Sequence, residues 1–494
     1  MEYGFLSLLP PVVAIALAIW TRQVFVSLLF GIWLGYLIIA GFNPLQGSLD
    51  TIEALVDVFQ DKGSTRTILF SALVGALIVF VQRSGGVEGF IRFLSHRIEK
   101  LSAEKEGRNR VLVQFMAWVT GLIIFVESSI SVLTVGTIYR PMFDKLKISR
   151  EKLAFIADSS SAPSCIIFPF NAWGAFIMSL LVAEGISQPF LTLFESVAFN
   201  FYPVLALGIV LIVILRGKDL GPMKEAEIRV NTTGELLNPG AQPMVSEELT
   251  AVDVKPGITP RMRNMLIPIA VMVLMMPFML AFTGWQDALA EFPEATGLLR
   301  IGRAIGQGSG STSVLVSVLT SIMVSIVLYS SQRMFSLKET VDMILKGISE
   351  MMPLALLMLF AFAIGNVCKN LETGLYIAEV TRGWLSPALL PFLVFVISCF
   401  IAFSTGTSFG TFGIMMHIAI PIAVAMDAPL LMTVAAVMGG GVFGDHCSPI
   451  SDTTILSSMA AATDHIDHVR TQAPYALIAG GITAILYLVI GLVA

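Results

Sequence analysis

The chain has 494 residues, of which 55% are hydrophobic and 13% are charged, whereas soluble domains contain about 25% charged residues. This composition excludes an ordinary soluble globular protein. The net charge of -5 carries little meaning in such a chain, and no basic patch indicates nucleic acid as a partner. Apolar runs recur from Phe5 to the C-terminus, each close to the ~20 residues that a helix needs to cross a bilayer. The sequence therefore predicts an all-α polytopic membrane protein, with the lipid bilayer as its first partner.

The N-terminus shows no signal-peptide pattern, and the four cysteines show no spacing typical of a redox or metal site. The first ten residues, MEYGFLSLLP, have no basic stretch before the apolar run and no small-residue cleavage site, so we expect the first helix to be retained. The cysteines are far apart and show no C-x-x-C spacing, which favours small buried hydrophobic residues over a redox or zinc site.

Two loops are rich in basic residues and set the predicted orientation. Residues 83–110 contain seven Lys and Arg, and residues 140–152 contain five. Because cytoplasmic loops carry an excess of Lys and Arg, both loops are predicted to be cytoplasmic. The apolar stretch between them, residues 111–139, then has both ends inside and is predicted to form a re-entrant hairpin with its turn near Glu127.

The apolar run after the second basic loop, residues 153–183, is too long for one plain helix. It contains ADSSSAPS at 157–164, where serines compete for backbone hydrogen bonds and a proline removes one donor. We interpret it as a helix interrupted within this stretch.

The second half of the chain repeats the plan. Residues 388–426 are predicted to form a hairpin with its turn at 404–411, and the run 430–461 is predicted to break at GDHCSPIS. Ser131, Thr134 and Gly136 recur at 408, 411 and 413, a constant offset of 277, while Pro163 recurs at 449, an offset of 286.

The predicted fold is therefore two inverted repeats, each of five spanning helices plus one re-entrant hairpin, with an interrupted helix in each repeat. Residues 1–215 form the first repeat, 216–263 a polar cytoplasmic linker that is flexible at least in part, and 264–494 the second repeat. An odd number of crossings inverts the second repeat and places both termini outside.

Interrupted helices leave unpaired backbone groups, which make natural ion sites. Around the predicted breaks and turns the sequence supplies four acids, and oxygen ligands suit a hard cation such as Na+. Helix capping by Asp158 and Asp445, an interfacial or internally paired Glu127, and a local turn at Asp452 are the structural alternatives. The predicted cation- and proton-binding residues are Glu127, Asp158, Asp445, His446 and Asp452, with Na+ held by Asp158, Asp445 and Asp452. The predicted lining residues are Ser128, Ser129, Ser131, Ser159, Ser160, Ser161, Thr405, Thr407, Ser408 and Ser451.

Three histidines near the second break call for separate interpretations. His446 beside Asp445 is either a carrier of a coupled proton or a structural histidine. His465 and His468 in DHIDH share a helical face but lack a third ligand, and we interpret them as a solvated helix end rather than a metal site. No hydrolase or phosphate-loop motif is present, so neither an enzyme nor ATP-driven transport is expected.

The stretch GGGVFGDHCSPISDTTILSSMAAATDHIDHVRTQAPYAL, residues 439–477, resembles the NhaC-type Na+/H+ antiporter family. The resemblance runs nearly full length and is weakest in the linker. It implies a secondary transporter built from inverted repeats with paired hairpins, which often work by an elevator-like shift of one domain. The resemblance covers both Na+/H+ antiporters and sodium-coupled carriers of organic acids or amino acids.

We therefore predict a sodium-coupled secondary active transporter in the plasma (inner) membrane, with Na+ and H+ as transported ions and no cofactor. Na+/H+ antiport by elevator-like alternating access is the leading function, and Na+-coupled transport of a small carboxylate or amino acid is the alternative. A homodimer fits by analogy, because elevator carriers need a fixed scaffold.

Overall fold

The structure is a computed structural model that describes residues 3–21, 23–90, 92–93, 106–125, 127–243, 254–381 and 385–493. In these ranges the chain forms helices joined by short loops, with no strand. Ten of the described helices are long and apolar enough to cross a membrane, or up to eleven when the bent pair described below is taken as one span. The predicted all-α polytopic class is confirmed. Residues 94–105 of the first basic loop and 244–253 of the linker lie outside the described residues.

The helices of the first half and the linker follow in chain order. They are α1 (Leu9–Thr21), α2 (Val24–Ile39), α3 (Pro44–Asp57), α4 (Lys62–Arg83), α5 (Glu106–Ile123), α6 (Ser128–Lys145), α7 (Arg150–Ile167), α8 (Ala172–Ala183), α9 (Pro189–Ser196), α10 (Phe201–Arg216) and α11 (Gly221–Thr233).

The helices of the second half complete the described chain. They are α12 (Arg263–Thr283), α13 (Trp285–Glu291), α14 (Gly297–Gly306), α15 (Gly310–Ser331), α16 (Leu337–Asn370), α17 (Thr373–Thr381), α18 (Leu390–Thr405), α19 (Ser408–Met426), α20 (Leu430–Cys447), α21 (Asp452–Ala461) and α22 (His465–Val493).

The first interrupted helix breaks later than predicted. Helix α7 continues through residues 157–164, including Pro163, and the chain bends by 41° between α7 and α8. The serine hydroxyls do not compete with the helix, because Ser161 donates to the Asp158 carbonyl at 2.9 Å and Ser164 to the Ser160 carbonyl at 2.8 Å. Such bonds one turn back are compatible with helical backbone. Asp158 therefore lies inside a helix and does not cap one.

The second break lies where the sequence predicts it. Helix α20 ends at Cys447 and α21 begins at Asp452, so Ser448 to Ser451 separate them. Asp445 is in the last turn of α20, so the alternative in which it caps the restarting helix is also wrong.

The helix limits recur between the halves at one offset. The starts of α6, α7 and α8 lie 280 residues before the starts of α19, α20 and α21, because 408 − 128 = 430 − 150 = 452 − 172 = 280. The end of α7 lies 280 residues before the end of α20, because 447 − 167 = 280. The offsets of 277 and 286 taken from short sequence matches are therefore wrong for the helix limits. The inverted orientation and the re-entrant hairpins stay predictions, and each arm of the α18–α19 pair is by itself long enough to cross.

The apolar interior divides into two clusters. The larger one extends through most of the described helices. The smaller one joins α5, α6, α7, α10, α11, α21 and α22, with Tyr139, Phe155, Ile214, Met223 and Tyr475 among its buried members. It includes a residue of the linker helix α11.

The linker begins with an ordered helix. Three ion pairs hold α11 and the residues before it to α5 and α7: Arg110 to Glu227 at 2.9 Å, Arg229 to Glu151 at 2.7 Å, and Lys152 to Asp219 at 2.8 Å. Burial of charged pairs requires close geometric matching. This part of the linker is therefore a fixed element against the helices of the first half.

Candidate functional site

Close packing of α18 on α20 positions the second break. A Cβ built on Gly440 lies 2.5 Å from the Cβ of Ser398, and one built on Gly444 lies 2.2 Å from the Cβ of Ala402. Only glycine at these two positions lets the helix axes approach so closely. The turn after α18, and with it Ser408 at the start of α19, is thereby held beside the end of α20.

Asp445 is a buried carboxylate surrounded by hydroxyl groups. Its Oδ2 accepts a hydrogen bond from Ser408 Oγ at 2.6 Å, and its Oδ1 accepts a short one from Ser451 Oγ. The same Ser408 hydroxyl lies 3.3 Å from the Gly441 carbonyl oxygen. The structure thus places two of the predicted lining residues, Ser408 and Ser451, beside Asp445. The set of carboxylate, hydroxyl and carbonyl oxygens is the chemistry that hard cations prefer.

Asp158 is the second buried acid, and only one of its oxygens is satisfied. Its Oδ2 accepts from Gln472 Nε2 at 2.6 Å and from Thr454 Oγ1 at 3.3 Å, and it lies 3.5 Å from His468 Nε2. Its Oδ1 has no hydrogen-bond partner among the described residues, and neither does Gln472 Oε1. Buried acceptors without partners are expensive, so these two oxygens are candidate ligands for a cation or a water.

Thr454 and Gln472 connect Asp158 to the backbone at the end of α20. Thr454 Oγ1 is 3.1 Å from the backbone carbonyl of Asp445 as well as 3.3 Å from Asp158 Oδ2. Gln472 Nε2 donates to the carbonyl of His446 at 2.7 Å in addition to Asp158. We call Asp158, Asp445, His446, Thr454, His468 and Gln472, with Ser408 and Ser451, the acid cluster.

The two histidines of the acid cluster contact Asp158 rather than Asp445. His446 bonds Tyr202 through Nδ1 at 3.0 Å and the Asp158 carbonyl through Nε2 at 3.2 Å. His468 is fully buried and bonds Ser457 at 3.0 Å. The interpretation of DHIDH as a solvated helix end is therefore wrong for His468. The i, i+4 spacing of His468 and Gln472 was the signal that both face one neighbour.

The first hairpin and first break contribute less to this cluster. Glu127 is half-buried and caps α6, where its carboxylate accepts from the Ile130 N–H at 2.8 Å. Ser131 donates to the Gly121 carbonyl at 3.2 Å, and Ser160 to the Ile156 carbonyl at 2.7 Å. Ser128 and Ser159 are buried, and Ser129 is half-buried. These hydroxyls mostly serve the local backbone.

The remaining predicted residues lie at helix ends. Thr405 donates to the Ile401 carbonyl at 2.8 Å, and Thr407 caps α19 by accepting from the Gly410 N–H at 3.3 Å. Asp452 is exposed in the first turn of α21. Within the described ranges no three His, Cys, Asp or Glu side chains are grouped to hold a metal ion. The structure therefore does not unite Asp158, Asp445 and Asp452 in one ligand set.

Known proteins resemble this chain in sequence and in fold. The sequence model of the Na+/H+ antiporter family matches residues 182–492. The chain is 34% identical to an uncharacterized protein of Haemophilus influenzae over 98% of this chain and 90% of that one. It is also 34% identical to the malate-2H(+)/Na(+)-lactate antiporter of Bacillus subtilis, over 22% of this chain and 23% of that one. The crystal structure of the YdaH transporter of Alcanivorax borkumensis has a similar fold, with a TM-score of 0.55, 13% identity, and coverage of 90% of this chain and 88% of that one.

Proposed function

Because this chain belongs to the Na+/H+ antiporter family, we propose that it is a sodium-coupled secondary active transporter that exchanges Na+ for H+. The observation that carries the proposal is the acid cluster, in which Thr454 and Gln472 join the buried carboxylate of Asp158 to the backbone carbonyls of Asp445 and His446 in the other half of the chain. Ionisable groups at membrane depth are costly and are retained for function.

Competition for the carboxylates explains exchange. A carboxylate that binds a proton becomes neutral and loses most of its attraction for Na+, so one site holds either ion but not both. Asp445 brings Ser408 and Ser451 as additional oxygen ligands, and Asp158 brings an oxygen that has no partner among the described residues. We assign Na+ to these two acids and their hydroxyl neighbours, with His446 and His468 as groups that respond to the charge of Asp158.

Alternating access is proposed from the architecture. The recurrence of helix limits at an offset of 280 supports a repeat, and inverted repeats place ion sites between broken helices near the midplane. An elevator-like movement would carry the acid cluster past a scaffold that includes the long helices α4 and α16. We expect a plasma-membrane location with both termini outside.

The rival function is Na+-coupled transport or exchange of a small organic acid or amino acid. It is favoured by the relative from Bacillus subtilis, whose name includes malate and lactate beside Na+ and H+. In this protein the start of α21 offers backbone N–H groups without a side-chain cap, and helix N-termini bind carboxylates. The two functions differ in whether Na+ movement requires a second solute.

The test is proton movement in proteoliposomes that contain only this protein and a pH-sensitive dye. An imposed Na+ gradient is expected to change internal pH without any organic solute, and an equal choline gradient is the matched control. A response only in the presence of one carboxylate or amino acid would transfer the assignment to the rival. A lack of Na+-driven proton movement under every condition would refute antiport.

A further inference from the structure

A buried histidine–carboxylate pair lies outside the acid cluster. It joins Glu184, which follows the last residue of α8, to His417 in the middle of α19. His417 is nine residues after Ser408, which corresponds to roughly 13 Å along a helix axis. Neither residue is used in the cation site described above.

The two side chains of this pair are hydrogen-bonded, buried and tightly packed. His417 Nδ1 and Glu184 Oε1 form a short hydrogen bond, and their side chains are 2% and 9% exposed. On α16, a Cβ built at Gly365 would lie 2.3 Å from His417 Cε1, so the imidazole fits only because position 365 has no side chain.

The surroundings leave one imidazole nitrogen for a proton. His417 Nε2 is buried and has no hydrogen-bond partner among the described residues. The thiol of Cys368, also on α16, is a titratable group within electrostatic range of the Glu184 carboxylate. In the described ranges neither member of the pair has another ion-pair partner. A buried acid with an imidazole as its neighbour is retained at a cost.

We propose that Glu184 and His417 form a second titratable site, which binds a further proton that exchange requires, in addition to the proton that competes with Na+ at Asp158 and Asp445. This inference rests on the proposed antiport. The pair suits a proton better than Na+, because one carboxylate oxygen is already bonded to an imidazole and, among the described residues, no hydroxyl is hydrogen-bonded to the pair. The step is proton binding alone, in which an imidazole nitrogen gains H+ and the positive charge faces Glu184.

Helix α19 connects this site to the cation site. It carries His417 in its middle and Ser408, the hydrogen-bond donor to Asp445, at its start. The aromatic contacts of Trp173 and Phe176 in α8 with Phe409 in α19 fix the two helices against each other. A change in charge at the pair therefore acts on a rigid element whose other end touches Asp445.

The transport test separates proton coupling from sodium binding. Glu184→Gln and His417→Gln are expected to keep exchange of radioactive Na+ for unlabelled Na+ at equal pH within about twofold of wild type, while Na+-driven proton movement falls about tenfold or more. Cys368→Ala, at the same interface, is the matched control and should keep both activities. Loss of both activities in the two variants would identify the pair as a structural link, and retention of both would also overturn the proposal.

A second measurement does not depend on transport. Purified protein in detergent is shifted from pH 9 to pH 6, and proton uptake is counted with an indicator dye. Each variant is expected to take up about one proton fewer than wild type and Cys368→Ala. Equal uptake by all four proteins would overturn the site even when antiport is intact. Failure of wild-type antiport with reduced uptake in the variants would instead refute the proposed function and leave a proton site.

Discussion

The two helix breaks have the same position in their halves but opposite chemistry. At the offset of 280, Asn171 before α8 corresponds to Ser451 before α21, and Cys165 in α7 corresponds to Asp445 in α20. At the first break the Asn171 amide accepts from the N–H groups of Trp173 and Gly174, and it donates to the carbonyls of Phe125 and Cys165. Both sides of that break are thereby satisfied by one neutral side chain.

At the second break the cap side chain turns away from the helix it precedes. Ser451 donates to Asp445 and makes no cap hydrogen bond to α21. The first N–H groups of α21 then keep their positive partial charge beside a buried carboxylate. The two breaks therefore differ in the partner of the cap side chain, which is the helix N-terminus at the first break and a buried carboxylate at the second.

The largest expected effect comes from removing the charge that distinguishes the two breaks. Asp445→Asn is expected to reduce Na+-driven proton movement by about 100-fold or more, equivalent to about 2.8 kcal/mol of binding free energy, because an amide attracts Na+ far less than a carboxylate. The equivalent change at the first break, Cys165→Ser, should stay within about twofold of wild type. Initial rates in proteoliposomes measure both.

A folding control accompanies these two variants. Each must elute as a single species in size-exclusion chromatography, since the amide nearly matches the carboxylate in shape and can still accept from Ser408. Near wild-type transport by folded Asp445→Asn would show that the ion site lies elsewhere. An equal loss in Cys165→Ser would abolish the distinction between the breaks.

Sequence reasoning located the features that depend on local chemistry. The second break follows from the Ser-Pro-Ile-Ser stretch at 448–451, and its acids and serines could be chosen because all lie near one another in the chain. The first break was misplaced because serine hydroxyls serve equally well inside a helix, as Ser161 and Ser164 do. Local pattern cannot separate these two uses.

Contacts between residues far apart in the chain could not be predicted from the sequence, for a different reason. Gln472 and His468 contact Asp158, which lies more than 300 residues earlier in the chain. A single sequence does not show that residues so far apart in the chain are close in space. The pair of Glu184 and His417 was missed for the same reason. The family resemblance supplied the class of protein but not these partners.

A smaller effect separates the two cap residues. Asn171→Ala removes two cap hydrogen bonds and two donations to carbonyls, and it is expected to cost about 1–2 kcal/mol of stability with little change in apparent Na+ affinity. Ser451→Ala is expected to weaken apparent Na+ affinity roughly tenfold, about 1.4 kcal/mol, because Asp445 loses one of its hydroxyl neighbours, while thermal stability changes little. Thermal unfolding in detergent and the Na+ dependence of transport are measured on both. The reverse pattern would mean that the first break is the functional one.

The smallest effect is expected at Asp452, although the sequence placed it among the Na+ ligands. Its side chain is exposed in the first turn of α21, where a negative charge stabilises the helix end by only about 0.3–1 kcal/mol. Asp452→Asn should therefore transport within about twofold of wild type, and Asp452→Glu, which keeps the charge, is the matched control. Because Asp452 and Asp445 flank the same break, a loss beyond about tenfold in Asp452→Asn, rescued in Asp452→Glu, would instead make the exposed acid part of the cation path. Two carboxylates, those of Asp445 and Asp452, would then take part in cation transport at the second break, which would increase its contrast with the uncharged first break.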